Sequence, residues 1–324
     1  MKYGRGDVMF ANPMMEQLPR RRLEDFQLKL LQKQLAWAAE KSKFYRELFQ
    51  KAGVRAADVK SLDDLQSFPF TDNAALLKAG LYDRITLPLS TMVRYGLAGT
   101  AETTATQGDV THDIDRLSRA LIAAGVNRTS TVGILGDLSD VRLLNFIYTT
   151  EAIGATAVPM GVDESRWNRL LDHLQLDALV GFDTCIVQLV SQRQASDMDA
   201  LPSVKNIFCI HQTAIQNDTP SLMKQMKVKF CHLYAPTALG TAGMLYPCER
   251  RREHLAEDYF YAEVIAFGSD HVCQTGHMGE LVVTTLQAEA LPLIRFRTRQ
   301  AVTFTDAPCS CGRTHRRVLL PPSL

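Results

Sequence analysis

The residues best suited to chemistry are a few thiols and one imidazole. Cys309-Ser310-Cys311-Gly312 brings two thiols to one side of a tight knuckle, and the glycine permits the turn. Cys248 and His254, six residues apart, offer two further donors. Two ligands alone are not a site, but the four together would form the closed Cys3His tetrahedron that structural zinc adopts. The remaining cysteines, Cys185, Cys209, Cys231 and Cys273, lie in or beside apolar stretches and read as core residues. His112, His173, His211 and His232 have no patterned nucleophile or ligand set nearby and read as ordinary surface or core histidines. A hydrolase or dehydrogenase has little support, because neither a Gly-x-Ser-x-Gly elbow nor a Gly-x-Gly-x-x-Gly turn follows a strand.

The elements that must position these residues follow from apolar periodicity. Positions 28, 31, 35 and 38 predict an amphipathic helix with Glu24, Lys29 and Lys33 facing water. A second, short helix carries Phe44, Tyr45, Leu48 and Phe49, and Gly53 closes it. Between about 110 and 235, candidate strands Thr131–Leu135, Ala155–Val158, Ala178–Val180, Asn206–Ile210 and Lys229–Leu233 alternate with helical patterns at 114–124, 141–152 and 167–174. Gly125 and Gly154 mark helix ends. Such alternation requires parallel strands joined by crossovers, hence a sheet with helices on both faces. The fold class is therefore α/β. From about 258 the character turns to β, with Tyr261–Ile265, Glu280–Leu286, Leu293–Phe296 and Ala301–Phe304. The reading divides the chain into an α/β body with N-terminal helices at 1–257 and a smaller β-rich subdomain with the Cys-x-Cys knuckle at 258–324.

Composition limits the partners. The 324 residues carry 36 Lys+Arg against 35 Asp+Glu, a formal net charge of +1, so a dominant basic surface for nucleic acid is not expected. The triplets Arg20-Arg21-Arg22 and Arg250-Arg251-Arg252 read as solvated ends of elements. Seven cysteines without an apolar leader among the first twenty residues argue against disulfides and for a cytoplasmic protein. The most apolar segment, 152–161, is shorter than the ~20 residues a bilayer span needs, so no membrane partner is expected.

Several stretches, in order, resemble one family. They are Phe44-Tyr-Arg-Glu-Leu-Phe-Gln-Lys-Ala-Gly-Val54, Ser61-Leu-Asp-Asp-Leu65 with Phe68-Pro-Phe-Thr71, Gly279-Glu-Leu-Val-Val-Thr-Thr-Leu286, Leu291-Pro-Leu-Ile-Arg-Phe-Arg-Thr298 and Cys309-Ser-Cys-Gly-Arg-Thr-His315. The family is the phenylacetate-CoA ligases of the adenylate-forming superfamily. The resemblance implies a large N-terminal domain that binds ATP and a carboxylic acid, and a small mobile C-terminal domain that completes adenylation and thioester formation. The chain ends before that second part, so the family's hinge aspartate and C-terminal lysine have no counterpart. The resemblance also strengthens zinc at Cys248, His254, Cys309 and Cys311, since family members often carry cysteines and a histidine at these places.

Three family motifs are altered. The phosphate loop, roughly Ser-Ser-Gly-Thr-Thr-Gly-Lys-Pro, corresponds to Leu97-Ala98-Gly99-Thr100-Ala101-Glu102-Thr103-Thr104, where only Gly99 and Thr100 survive. Glu102 stands where glycine is expected; pointing inward it would set like charges about 4 Å apart, costing roughly 4 kcal/mol at an effective dielectric near 20. The motif Tyr-Gly-Leu-Ser/Thr-Glu becomes Tyr234-Ala235-Pro236-Thr237-Ala238, which keeps the ring for adenine and the hydroxyl for phosphate but replaces the magnesium carboxylate with Ala238. In Arg295-Phe296-Arg297-Thr298-Arg299-Gln300 the ribose-binding aspartate becomes Gln300. The remnant nucleotide-binding positions are thus Gly99, Thr100, Tyr234, Thr237, Arg297 and Gln300, and ATP and Mg are the doubtful cofactors.

The functional expectation is a divergent ligase-like protein that binds a small carboxylate, a nucleotide or a protein partner, a second copy of the chain included, without completing ligation alone. No catalytic residue is assigned. The alternative is an active AMP-forming acid-thiol ligase that holds magnesium through Glu151, Glu257 or Asp258, or borrows a C-terminal domain from another polypeptide.

Overall fold

A computed structural model of the chain describes residues 9–195, 201, 203–211 and 228–321. After a short α1 (Pro13–Glu16) comes the expected amphipathic helix, α2 (Arg20–Lys41), which buries Leu31, Leu35 and Ala38 completely. Two amides on the same buried face, Gln27 and Gln34, reach backbone groups of Glu257 and Ala288 and fasten α2 to the body. α3 (Lys43–Ala52) starts at Ser42, whose hydroxyl accepts from the Tyr45 N–H, and stops at Gly53, which takes φ +69°. Tyr45 and Phe49 of α3 pack with Phe68, Leu286 and Ile294 in one apolar cluster. α4 (Asn73–Arg84) follows, capped by the Asp72 carboxylate.

A two-stranded antiparallel hairpin, β1 (Arg94–Ala98) and β2 (Ala101–Ala105), leads into α5 (Gln107–Ala123). The parallel sheet has the spatial order β4-β3-β5-β6-β7, with β3 (Thr131–Leu135), β4 (Thr156–Gly161), β5 (Ala178–Phe182), β6 (Asn206–Ile210) and β7 (Lys229–Leu233). Its crossovers are α6 (Val141–Ile153), α7 (Glu164–His173) and α8 (Asp183–Ala195). Side chains alternate between the faces: Val132, Ile134, Val180, Phe208 and Ile210 meet α5 and α6, whereas Leu135, Leu179, Ile207 and Cys209 meet α7 and α8. All residues of β5 and β6 are buried, as a sheet covered on both faces requires. The α/β class read from the pattern is the class observed.

The antiparallel sheet runs β10-β11-β12-β13-β9-β8, with β8 (Leu245–Pro247), β9 (Glu253–Leu255), β10 (Phe260–Ile265), β11 (Met278–Thr285), β12 (Phe296–Thr305) and β13 (Arg317–Leu319). The β character therefore begins at Leu245, and strands from both sides of residue 257 share this sheet. Leu293–Phe296, expected as a strand, is a bend leading into β12. Leu293 N–H goes to the Thr285 hydroxyl, and Arg295 holds a left-handed φ of 45° with its guanidinium on the Glu263 carboxylate at 2.9 and 3.0 Å.

Candidate functional site

Cys248, His254, Cys309 and Cys311 converge: their donor atoms all lie within 4.8 Å of one another. Two turns and a strand hold them. Cys248 follows β8 and its carbonyl accepts from Arg251 N–H at 2.8 Å, while Gly312 donates to the Cys309 carbonyl at 3.0 Å with φ +80°, a conformation glycine alone takes without strain. His254 lies on β9, and its Nδ1 faces the His315 carbonyl at 2.8 Å, which turns Nε2 toward Cys311 Sγ at 3.5 Å. Cys248 and Cys309 Sγ atoms stand 3.9 Å apart. Hydrogen bonding from the Cys248 thiol, and then from His254 and the Arg313 N–H, holds the Cys311 thiol far below its ordinary pKa despite burial. A thiolate is what a metal needs, and a backbone carbonyl orienting the ligating imidazole is the usual outer support of such a site.

The knuckle also anchors the N-terminal segment. Arg313, fully buried, reaches the equally buried Glu16 at 2.6 Å, Glu249 at 2.8 Å and the Met9 carbonyl at 2.8 Å. Glu257 receives both Arg20 Nη1 contacts at 2.7 and 2.8 Å, and Asp258 pairs with the buried Arg119 at 2.6 and 2.8 Å. Both carboxylates are thus committed to arginines, and Glu151 is an exposed residue of α6.

The second group forms around the β1–β2 hairpin. Ala98 pairs with Ala101, so only Gly99 and Thr100 lie between the strands. Gly99 takes φ +60° and donates its N–H to Asp140 Oδ2 at 2.8 Å. Asp140 also caps α6 and holds Arg142 through contacts of 2.9 and 2.6 Å. Arg142 is buried, with its guanidinium 4.5 Å over the Phe182 ring. Thr237 is adjacent: a Cβ added at Gly99 would stand 3.9 Å from Thr237 Cγ2 and 3.5 Å from Arg142 Nη2.

The structure therefore brings Gly99, Thr100 and Thr237 together and draws Tyr234 into hydrogen-bond contact with Thr298; burial pushes the Tyr234 phenol up to about 12. Gln300 is buried, with its side-chain amide on the Ala301 carbonyl at 2.9 Å. Arg297 turns to Glu280 and Asp270 at 2.9 and 3.2 Å. Glu102 does not point inward. It is exposed on β2 and accepts the Tyr95 hydroxyl at 2.7 Å, because strand alternation places it opposite Leu97 on the outer side.

No protein-family model matches the chain. It is 26% identical to the phenylacetate-coenzyme A ligase of Thermus thermophilus over 96% of this chain and 72% of that protein. With the Escherichia coli protein of the same name the identity is 26%, over 91% of this chain and 70% of the relative. This chain is a homologue of the phenylacetate-CoA ligases. Among solved structures, an open conformation of 2-hydroxyisobutyryl-CoA ligase with an acyl-adenylate and CoA superposes at TM-score 0.86 with 18% identity, over 98% of this chain and 79% of that one, a likeness of fold. The curated phenylacetate-CoA ligases are longer: the chain spans 65% to 72% of their lengths.

Reading from the sequence missed one further constellation. His211 Nε2 and His232 Nδ1 lie 2.7 Å apart, with Asp183 Oδ2 3.6 Å from His211 Nδ1, at the carboxyl ends of β5, β6 and β7. The available signal was register, since His211 directly follows one candidate strand and His232 lies near the end of another. His173 is exposed at the end of α7. Cys209 and Cys231 are buried as expected, while Cys185 and Cys273 are half-buried. None of the described helices is long and apolar enough to cross a membrane.

Proposed function

We propose that this chain is a phenylacetate-CoA-ligase-like body that retains binding of a small carboxylate, a nucleotide or a protein partner and does not complete ATP-dependent acyl-CoA formation alone. One observation carries the reading: the turn at Gly99-Thr100 has two residues, and the Gly99 N–H is taken by the Asp140 carboxylate. A phosphate loop acts through several backbone N–H groups directed at one anion. A two-residue turn cannot supply them, and Asp140, itself paired with Arg142, already occupies the Gly99 N–H. Adenylation depends on neutralising and aligning phosphates, so the electrostatic term that usually dominates such catalysis is weakened at its source. Ala238 in place of a magnesium carboxylate and the inward-bonded Gln300 support the same reading.

The test is pyrophosphate release with phenylacetate, ATP and Mg2+, run beside the Escherichia coli ligase. The expected outcome is background release by this chain. Release at a rate comparable to the Escherichia coli enzyme would overturn the reading and favour the second one, an active acid-thiol ligase with substitute residues or a separately supplied C-terminal domain. That second reading draws support from the nearness of Thr237 to the turn, its Cγ2 lying 3.9 Å from where a Cβ on Gly99 would stand. Repeating the assay with added candidate partner proteins separates its two forms.

We further infer that Cys248, His254, Cys309 and Cys311 hold one structural zinc. Three thiols and an oriented imidazole fit that ion, which prefers four nitrogen and sulfur donors in a closed tetrahedron. Elemental analysis of protein purified without added metal is expected to find one zinc per chain. Metal-free, fully folded protein would refute it.

A further inference from the structure

The stretch 309–314 has two tasks. It supplies two of the four thiol and imidazole donors, and it is the seat of the N-terminal segment, residues 9–18. Arg313 holds the Glu16 carboxylate and the Met9 carbonyl, and its guanidinium lies 4.8 Å from the Phe10 ring. Thr314 donates its N–H to the Glu16 carbonyl at 2.9 Å and its hydroxyl to the Leu18 carbonyl at 2.7 Å. Any change in the path of the knuckle is therefore felt by this segment.

The four donors are not equally sheltered. Cys248, His254 and Cys311 are buried, whereas Cys309 is half-buried and meets solvent. Oxidation of cysteine follows thiolate character and exposure, so an oxidant arriving from solvent meets Cys309 first. Its Sγ stands 3.9 Å from that of Cys248, which belongs to a separate turn 61 positions earlier. Cys311 also faces Cys309, but its sulfur is engaged by His254 Nε2 at 3.5 Å and by the Arg313 N–H at 3.4 Å. Cys248 is thus the thiol best placed to resolve an oxidised Cys309. Sulfurs in a disulfide are about 2.05 Å apart, so closing that bond pulls the two turns toward each other. Cys185 and Cys273 are half-buried as well, yet neither has a second thiol in contact among the described residues.

We propose that the knuckle is a peroxide-sensitive latch for residues 9–18: a hydroperoxide oxidises Cys309, Cys248 closes a disulfide with it, and the N-terminal segment loses its seat. The Cys309 thiolate attacks one peroxide oxygen; the O–O bond breaks, hydroxide leaves and a sulfenic acid forms. The Cys248 thiolate then attacks that sulfur, the S–O bond breaks, a second hydroxide leaves and the S–S bond forms. Two thiolates are oxidised by two electrons and one peroxide is reduced to two hydroxides. Cys311 and His254 alone cannot complete a closed tetrahedron, so the metal is released. The proposal rests on the zinc reading given above only for that released ion, and the disulfide is read separately.

The test exposes the full chain, purified without added metal, to hydrogen peroxide and stops the reaction with catalase. Released zinc is read with a chromophoric chelator, linked peptides by mass spectrometry without reduction, and the amides of residues 12–18 by hydrogen–deuterium exchange. One zinc should be released per Cys248–Cys309 disulfide, and exchange at 12–18 should become roughly tenfold faster. Dithiothreitol with added zinc should reverse both changes. Replacing the other half-buried thiols, by Cys185→Ser together with Cys273→Ser, should leave the response unchanged. A Cys309–Cys311 link, oxidation confined to Cys185 or Cys273, or unchanged exchange at 12–18 once Cys248 and Cys309 are linked would each overturn the latch. A chain that carries no zinc yet forms the link and loosens 12–18 refutes the zinc reading and upholds the latch. A zinc-bearing chain that forms no link overturns the latch and leaves the zinc reading standing.

Discussion

Cys311 is the thiol on which the knuckle turns, since it faces His254 and receives the Arg313 N–H at 3.4 Å. If zinc ties these elements together, Cys311→Ser removes folding free energy directly, and the melting temperature should fall by about 5–10 °C. Scanning calorimetry with and without a chelator checks this: chelation should lower the native protein to the level of the variant and leave the variant where it is. A second residue gives a pH signature. Burial, aided by His211, holds His232 down to about 4, against 6.5 when unfolded. Above pH 6.5 both states are neutral; between 6.5 and 4 the unfolded chain binds the proton first, so stability is lost as pH falls through that window, by up to about 3 kcal/mol. Urea midpoints measured across it should decline for the native chain and decline less for His232→Gln. At this scale the sequence was legible where chemistry repeats at short range. The knuckle and its two extra donors were readable from residue type, whereas His211 and His232, 21 positions apart, become neighbours only through strand pairing.

Among the elements, the hairpin has the most exposed consequence. Gly99 at φ +60° would be strained by a side chain, so Gly99→Ala should destabilise by about 1–2 kcal/mol, read as a shift in the urea midpoint. The strands Thr131–Leu135, Asn206–Ile210 and Lys229–Leu233 were legible to the residue because short apolar runs bounded by polar turns admit little else. The hairpin was not. Its Thr-rich second strand has one face outward, and its pairing is set by the tight turn rather than by apolar pattern. The loop before β12 misled for the opposite reason: Leu293 and Ile294 are apolar and buried, but they fill a core from a bend whose geometry Arg295 fixes through Glu263.

Across the whole molecule, one ion pair joins the layers. Arg119 on α5 and Asp258 before β10 are both buried, and the guanidinium also holds Asp115 at 2.8 Å. Arg119→Met would strand a carboxylate in the interior, and a loss of about 3–5 kcal/mol is expected in denaturant unfolding. Phe208→Ala at the centre of the parallel sheet should cost a comparable 3–5 kcal/mol by leaving a cavity between β6 and the helices. The layered architecture was foreseeable from alternating strand and helix patterns. The pair was not, since nothing local marks two charges 139 residues apart as partners.

The clamp between Arg313 and Glu16 has a temporal side. These residues are 297 positions apart, and each is sealed from solvent by the other's surroundings. Because synthesis proceeds from the amino end and domains fold as their residues emerge, Glu16 must wait for its partner until residue 313 has emerged from the ribosome. Nascent chains halted before residue 313 should therefore leave the segment around Glu16 open to protease, and chains extended until Arg313 has emerged should close it.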